Sequence, residues 1–262
     1  MAQWQALSPS RHPQAGWQPY TDYHFAAGDV FSPLLAAELP HAVACFPIAF
    51  TQAGESYQLV ALQSLQPGVN LYVNSQGQWL APYVPSWYRS HPLRLLPSDT
   101  GEQLLCMDVD SPLFRAKLDG EQRFFDAQGV ITPALQKVID FLQQCHNNQT
   151  VTQTLVNALA AAGLIQPWSL ELDTGKAQPT PVAGIFHINE AALQNLPGEQ
   201  LAPLAQNGAL AIAYAQLLSA PRLADFSKRY QHRAQDQARQ VSDEINLDNL
   251  FGEQGDTFKF GF

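Results

Sequence analysis

Two rhythms of apolar and polar positions divide the chain, one strand-like up to about residue 131 and one helical beyond it. "FPIAFTQ" and "YQLVALQSL", rich in aromatic and β-branched residues, flank the Gly-bearing "AGES" and predict an antiparallel hairpin. In "VNLYVNSQGQWLAPYV", Leu71 and Val73 alternate with Asn70, Tyr72 and Asn74, and Ser75 to Gly77 supplies a turn before Trp79, so a second hairpin is expected. "QLLCMDVD" reads as a further strand. Before the first hairpin, residues 1–30 suit an extended arm, and "PLLAAELP" (33–40) a short helix with Pro33 near its start and Pro40 closing it.

The helical rhythm opens at Thr132-Pro133, an N-cap followed by proline at the first helical position. Leu135, Val138, Ile139, Leu142 and Cys145 form one stripe, Asn147-Asn148 interrupts it, and Val151, Leu155, Leu159 and Ala162 form a second that stops at Gly163. A helical pair is expected. Residues 173–181 read as a surface loop or a weak boundary, "VAGIFHI" as a strand, and "NEAALQNL" as a helix capped by Asn189. "GALAIAYAQLLS" fits a buried strand or a buried helix equally well. After Pro221, Leu223, Phe226 and Tyr230 share a helical face. Arg222, Lys228, Arg229, Arg233 and Arg239 make this stretch basic, and Asp243, Glu244, Asp248, Glu253 and Asp256 then reverse the sign. The expected organisation is a single domain over 1–231 and an acidic tail over 232–262, flexible or docked on a partner, with another copy of the chain among the candidates. The fold class is α+β, a twisted antiparallel sheet in the N-terminal half covered by helices from the C-terminal half.

Composition narrows the function. The chain is 46% hydrophobic and 14% charged, as in a globular protein, and its net charge of −9 argues against a nucleic-acid partner, whose affinity rests on Lys and Arg. Three dispersed cysteines form no CxxC, so free thiols are expected instead of a disulfide frame or a zinc site. The N-terminal stretch lacks a secretory pattern and no long apolar run occurs, which predicts a cytoplasmic protein without membrane insertion.

No nucleotide-loop, nucleophile-elbow or metalloprotease motif is present. Asp108 and Asp110 are two apart, a spacing that on a strand would aim both carboxylates to one face, but a solvated strand end is the simpler reading. Cys145-His146 is best read as helix packing, His187 as structural, and Asn148-Gln149-Thr150 as a chance acceptor sequence. The candidate site is the aromatic and arginine cluster around "SWYRSHPLRLL": Trp79, Tyr83, Trp87, Tyr88, Arg89 and Arg94. These side-chain types grip peptides, acidic groups and flat rings. No catalytic residue, metal ligand or cofactor is assigned.

The blocks "FAAGDVFSPLLAAELPHAVACFPIAF", "LQPGVNLYVNSQGQWLAPYVPSWYRSHPLRLL", "FFDAQGVITPALQKVIDFLQ" and "VAGIFHINEAALQNLPGEQLAPLAQNGALAIAYAQLLS" resemble the bacterial SapC family in content and order. The resemblance implies an association with a surface layer or outer-membrane uptake. It also implies partners among flavin halogenase-like and cupin-like enzymes and TonB-dependent receptors. Two positions depart from the family's pattern, Leu93 where Phe is expected and Gln216 where His is frequent. The leading expectation is a non-catalytic accessory protein that docks a peptide, protein segment or small ligand. The alternatives are an enzyme modifying peptide or amino-acid side chains, with His91 beside Asp108 or Asp110, and a structural surface-layer component.

Overall fold

The computed structural model describes residues 3–120, 122–172 and 180–251. The N-terminal arm contributes two short strands, β1 (Trp4–Ala6) and β2 (Gly16–Trp17), before β3 (Phe31–Pro33). A 3-10 turn at Ala36–Glu38 then leads into a four-residue helix, α1 (Leu39–Ala42). Pro33 therefore ends a strand, and Pro40 sits in the first turn of α1 instead of closing a helix. Proline lacks only an N–H that a first helical turn leaves unpaired, which suits Pro40 to the start of α1.

The expected hairpin forms from β4 (Ile48–Ala53) and β5 (Ser56–Leu62), with Ile48 opposite Ala61 and Ala53 opposite Ser56. Gly54, at φ 63, supplies the left-handed residue of its turn. The expected second hairpin reduces to a single bridge between Val73 and Trp79. Asn74 tightens the turn, its Oδ1 accepting the N–H groups of Gln76 and Gln78 at 3.0 and 2.8 Å, and the backbone adds the Asn74–Gln78 and Leu80–Tyr72 bonds across it. A single helical turn, α2 (Ser86–Arg89), precedes β6 (Leu93–Pro97), β7 (Gln103–Asp108) and β8 (Phe114–Arg115).

Thr132 caps α3 (Pro133–Ala161) as expected, its Oγ1 accepting the Leu135 N–H at 3.3 Å. The expected helical pair is one continuous helix of 29 residues. Asparagine costs a helix only a few tenths of a kcal/mol per position, and the apolar stripes on either side of Asn147-Asn148 offset that. The chain continues through β9 (Ile165–Pro167), β10 (Leu170–Leu172), β11 (Thr180–Val182) and β12 (Ile185–Ile188). Four helices follow: α4 (Glu190–Gln194), α5 (Gly198–Asn207), α6 (Ala209–Ser219) and α7 (Ala224–Phe251). The ambiguous "GALAIAYAQLLS" is the helix α6. Most of the loop expected at 173–181, and residues 252–262 of the expected tail, lie outside the described residues. The expected boundary at residue 232 falls within α7.

The class is α+β. Its largest sheet, in the order β3-β5-β4-β12-β9, is antiparallel throughout and draws strands from both halves of the chain, unlike the N-terminal sheet expected. A three-stranded sheet, β1-β7-β6, stands beside it, with the pairs β2-β8 and β10-β11. Two main apolar cores result among the described residues, beside a small cluster of Ala26, Val73 and Tyr88. The larger joins Phe46, Phe50, Leu62, Tyr72 and Ile212, and the smaller joins Trp17, Leu93, Met107 and Phe124. Helix α3 enters both, through Val156 and Leu159 in the larger and Leu135 and Leu142 in the smaller. Among the described residues no helix is long and apolar enough to cross a membrane.

Candidate functional site

"SWYR" is helical because Pro85, at ψ 142, turns the chain and a buried carboxylate receives the start of the turn. Glu38, 5% exposed, accepts the Ser86 N–H at 2.7 Å and the Ser86 hydroxyl at 2.8 Å. It also accepts the Tyr83 hydroxyl at 2.7 Å and the Leu35 N–H at 2.9 Å. Four donors on one anion make a strong, charge-assisted anchor at the end of the helix where N–H groups are unpaired.

The turn divides the candidate residues between interior and surface. Successive helical side chains diverge by about 100°. Tyr88 is consequently 1% exposed and donates to Gln63 Oε1 at 2.7 Å, while Trp87 is 37% exposed. Burial pushes the Tyr88 phenol far up. It supports the site from beneath and presents no outer face. Trp79 is also part of the interior packing, its Nε1 donating to Tyr83 O at 2.8 Å and its ring 5.5 Å from that of Tyr88. Tyr83 is held between the His41 ring, at 5.3 Å, and the Arg89 guanidinium, at 4.8 Å. Arg89 Nε donates to Val84 O at 2.9 Å.

Arg94 is different. Its guanidinium lies 3.9 Å from the centre of the Trp87 ring and 5.2 Å from that of Trp4. Among the described residues it has neither an ion pair nor a side-chain hydrogen bond. Burial lowers its pKa, opposed by Asp29, Tyr88 and Asp108, yet a guanidinium stays protonated in a protein. Trp87 and Arg94 line a cleft of about 290 Å³ with Leu35 and Leu96 on one wall and Leu142 and Cys145 of α3 on another. Its walls can take an apolar or ring-shaped group, and Arg94 can take an oxyanion. The Cys145 thiol is pushed up, mainly by burial, which keeps it protonated and a poor nucleophile.

The remaining candidates separate cleanly. Asp108 Oδ1 accepts the N–H groups of Gln3 and Asp110, at 2.9 and 3.2 Å, so it closes a turn at the end of β7. Among the described residues no group of three or more His, Cys, Asp or Glu side chains could hold a metal ion. His91 stacks on Phe25 and is pushed down to about 4, chiefly by burial. His187 stacks on Trp168 and meets Gln166 at 3.1 Å. His146 lines the cleft beside Cys145, which adjacent helical positions did not lead us to expect. Gln216 is fully buried, accepting the Ile188 N–H at 3.0 Å and donating to Ile48 O at 3.3 Å, and so ties two strands. Sequence reasoning missed Trp4 and Glu38. Only the latter left a signal, as the lone charge in "PLLAAELP".

No curated protein and no solved structure matches this chain. A family model described as SapC matches residues 7–226, a span that contains every residue of the cleft and omits only Trp4 of the rings around Arg94. By that match the chain belongs to the SapC family.

Proposed function

We propose that this protein is a non-catalytic, cytoplasmic accessory protein that docks an extended protein segment in the Trp87–Arg94 cleft. The observation that carries the reading is a guanidinium 3.9 and 5.2 Å from two indole rings that, among the described residues, makes no ion pair, although Asp29 and Asp108 act on it from farther away. An acidic side chain of the segment pairs with Arg94, and an apolar or aromatic neighbour lies against Trp87 and Leu142. Trp79, Tyr83, Tyr88 and Arg89 hold the turn in place beneath. The partners implied by the family resemblance, halogenase-like or cupin-like enzymes or a TonB-dependent receptor, are the source of such a segment. A catalytic reading has less support, since burial drives the Cys145 thiol up and the His91 ring down, away from the values that proton transfer near neutral pH needs.

The test is selection from a random-peptide display library against the purified chain, with Trp87→Ala and Arg94→Ala as counter-targets. Peptides carrying an acidic residue next to an apolar or aromatic one are expected. Each variant should weaken their binding at least about tenfold while keeping the wild-type unfolding free energy in urea within about 1 kcal/mol. Peptides that bind both folded variants as tightly as the wild type would overturn the reading.

A further inference from the structure

A second cleft, of about 350 Å³, lies between α7 and the loop after β5, and it shares no lining residue with the first. Its size falls in the roughly 300–1,000 Å³ range of small-molecule sites. Leu71, Val73 and Leu80 give it an apolar side. Across from them α7 contributes Arg229, His232, Arg233 and one carboxylate, Asp236.

The cations are held in place without being neutralised. Arg229 stacks with its guanidinium carbon 4.1 Å from the centre of the Tyr72 ring, and that ring is fixed because Tyr72 is buried and its hydroxyl donates to Cys45 O at 3.0 Å. Stacking uses the guanidinium face and leaves its N–H edge for an acceptor. Arg233 Nη1 donates to Asn70 O and Val73 O at 3.3 and 3.4 Å, which orients the side chain towards the loop. Among the described residues neither arginine has an ion pair. His24 adds a third fixed group. Its Nδ1 meets Asp22 Oδ1 at 3.0 Å and its Nε2 meets Ser75 O at 3.3 Å, and both partners raise its pKa. The ring lies so close to Gly77 that a Cβ there would come within 2.4 Å of Nδ1. His24 is paired with Asp22, so the cations without an ion pair among the described residues are Arg229 and Arg233; in a chain of net charge −9, two such arginines over an apolar side have a definite chemical complement.

We infer that this second cleft binds a small organic oxyanion, a phosphate or carboxylate carried on an apolar or ring-shaped body, with Arg229 and Arg233 on the anion and Leu71, Val73 and Leu80 against the body. Asp236 opposes the anion and limits the affinity.

The full isotope-labelled chain is titrated with phenyl phosphate, benzoate and inorganic phosphate while amide shifts are followed. At least one ring-bearing anion should saturate the amides of Val73 to Ser75 and Arg229 to Gln237, at least about fivefold more tightly than inorganic phosphate, because only it uses the apolar side. The tighter of phenyl phosphate and benzoate identifies the oxyanion. Arg229→Gln should weaken binding about tenfold. Asp236→Asn should tighten it severalfold, a gain that misfolding cannot produce. Arg94→Ala should leave it unchanged. Three outcomes overturn the inference: no saturable shift at these amides, equal affinity in wild type and Arg229→Gln, or loss of binding in Arg94→Ala.

Discussion

His91 lies face to face on Phe25, ring centroids 3.8 Å apart and planes 6° from parallel. Burial is the main reason its pKa falls to about 4, Arg94 adds to the effect and Asp108 opposes it. The ordinary value is 6.5. Above that value both folded and unfolded chains carry a neutral ring, and the full contribution to stability is present. As pH falls through it, the unfolded chain takes up a proton that the folded chain refuses until about pH 4, so stability drops across that window. The urea midpoint of the wild type should therefore fall more between about pH 7 and about pH 5 than that of His91→Gln. Equal falls would mean that His91 does not titrate this way. Residue identity alone cannot reveal such a shift. His91 in "SHPLR" has no acidic neighbour in sequence, and Phe25, which buries it, lies 66 positions away (91 − 25).

At the scale of elements, α2 has four residues and cannot sustain itself, since a first helical turn fixes several residues for one hydrogen bond. Its position depends on the Glu38 carboxylate. Glu38→Gln replaces one accepting oxygen by a donor facing donors, and should cost about 1–3 kcal/mol in urea unfolding. It should also loosen Trp87, visible as lower fluorescence anisotropy in a variant where Trp87 is the only tryptophan retained. An unchanged midpoint and anisotropy would show that the turn stands without the anchor. Elements set by nearby residues were legible in the sequence: the β4–β5 hairpin with Gly54, the Thr132 cap and the Asn189 cap, whose Oδ1 accepts the Ala192 N–H at 3.0 Å. Elements set by distant partners were not. The candidate cluster divides at "SWYR" between interior and surface because the turn is helical, and the carboxylate that anchors this turn is 48 residues away. Trp87 and Arg94, candidates from the sequence, line one cleft, whereas the burial of Tyr88 follows from that turn.

For the molecule as a whole, the decisive element is α3, about 43 Å long at 1.5 Å per residue. It is rooted in the smaller core by Leu135 and Leu142 and in the larger by Val156 and Leu159. The two cores should accordingly unfold as one. With fluorinated tryptophan, the native resonances of Trp17, stacked on Phe124 in the smaller core, and Trp79, packed in the larger, should vanish at the same urea concentration. Asn148→Pro, which breaks the helix at a cost of about 3 kcal/mol, should separate them. Separate transitions in the wild type would show that the helix does not couple the cores. Leu142, Cys145, His146 and Gln149 place the Trp87–Arg94 cleft against the middle of this same helix, astride Asn147-Asn148. If the proposed segment docks there, it presses on the middle of the helix that both cores share, and its binding should then stiffen both ends together.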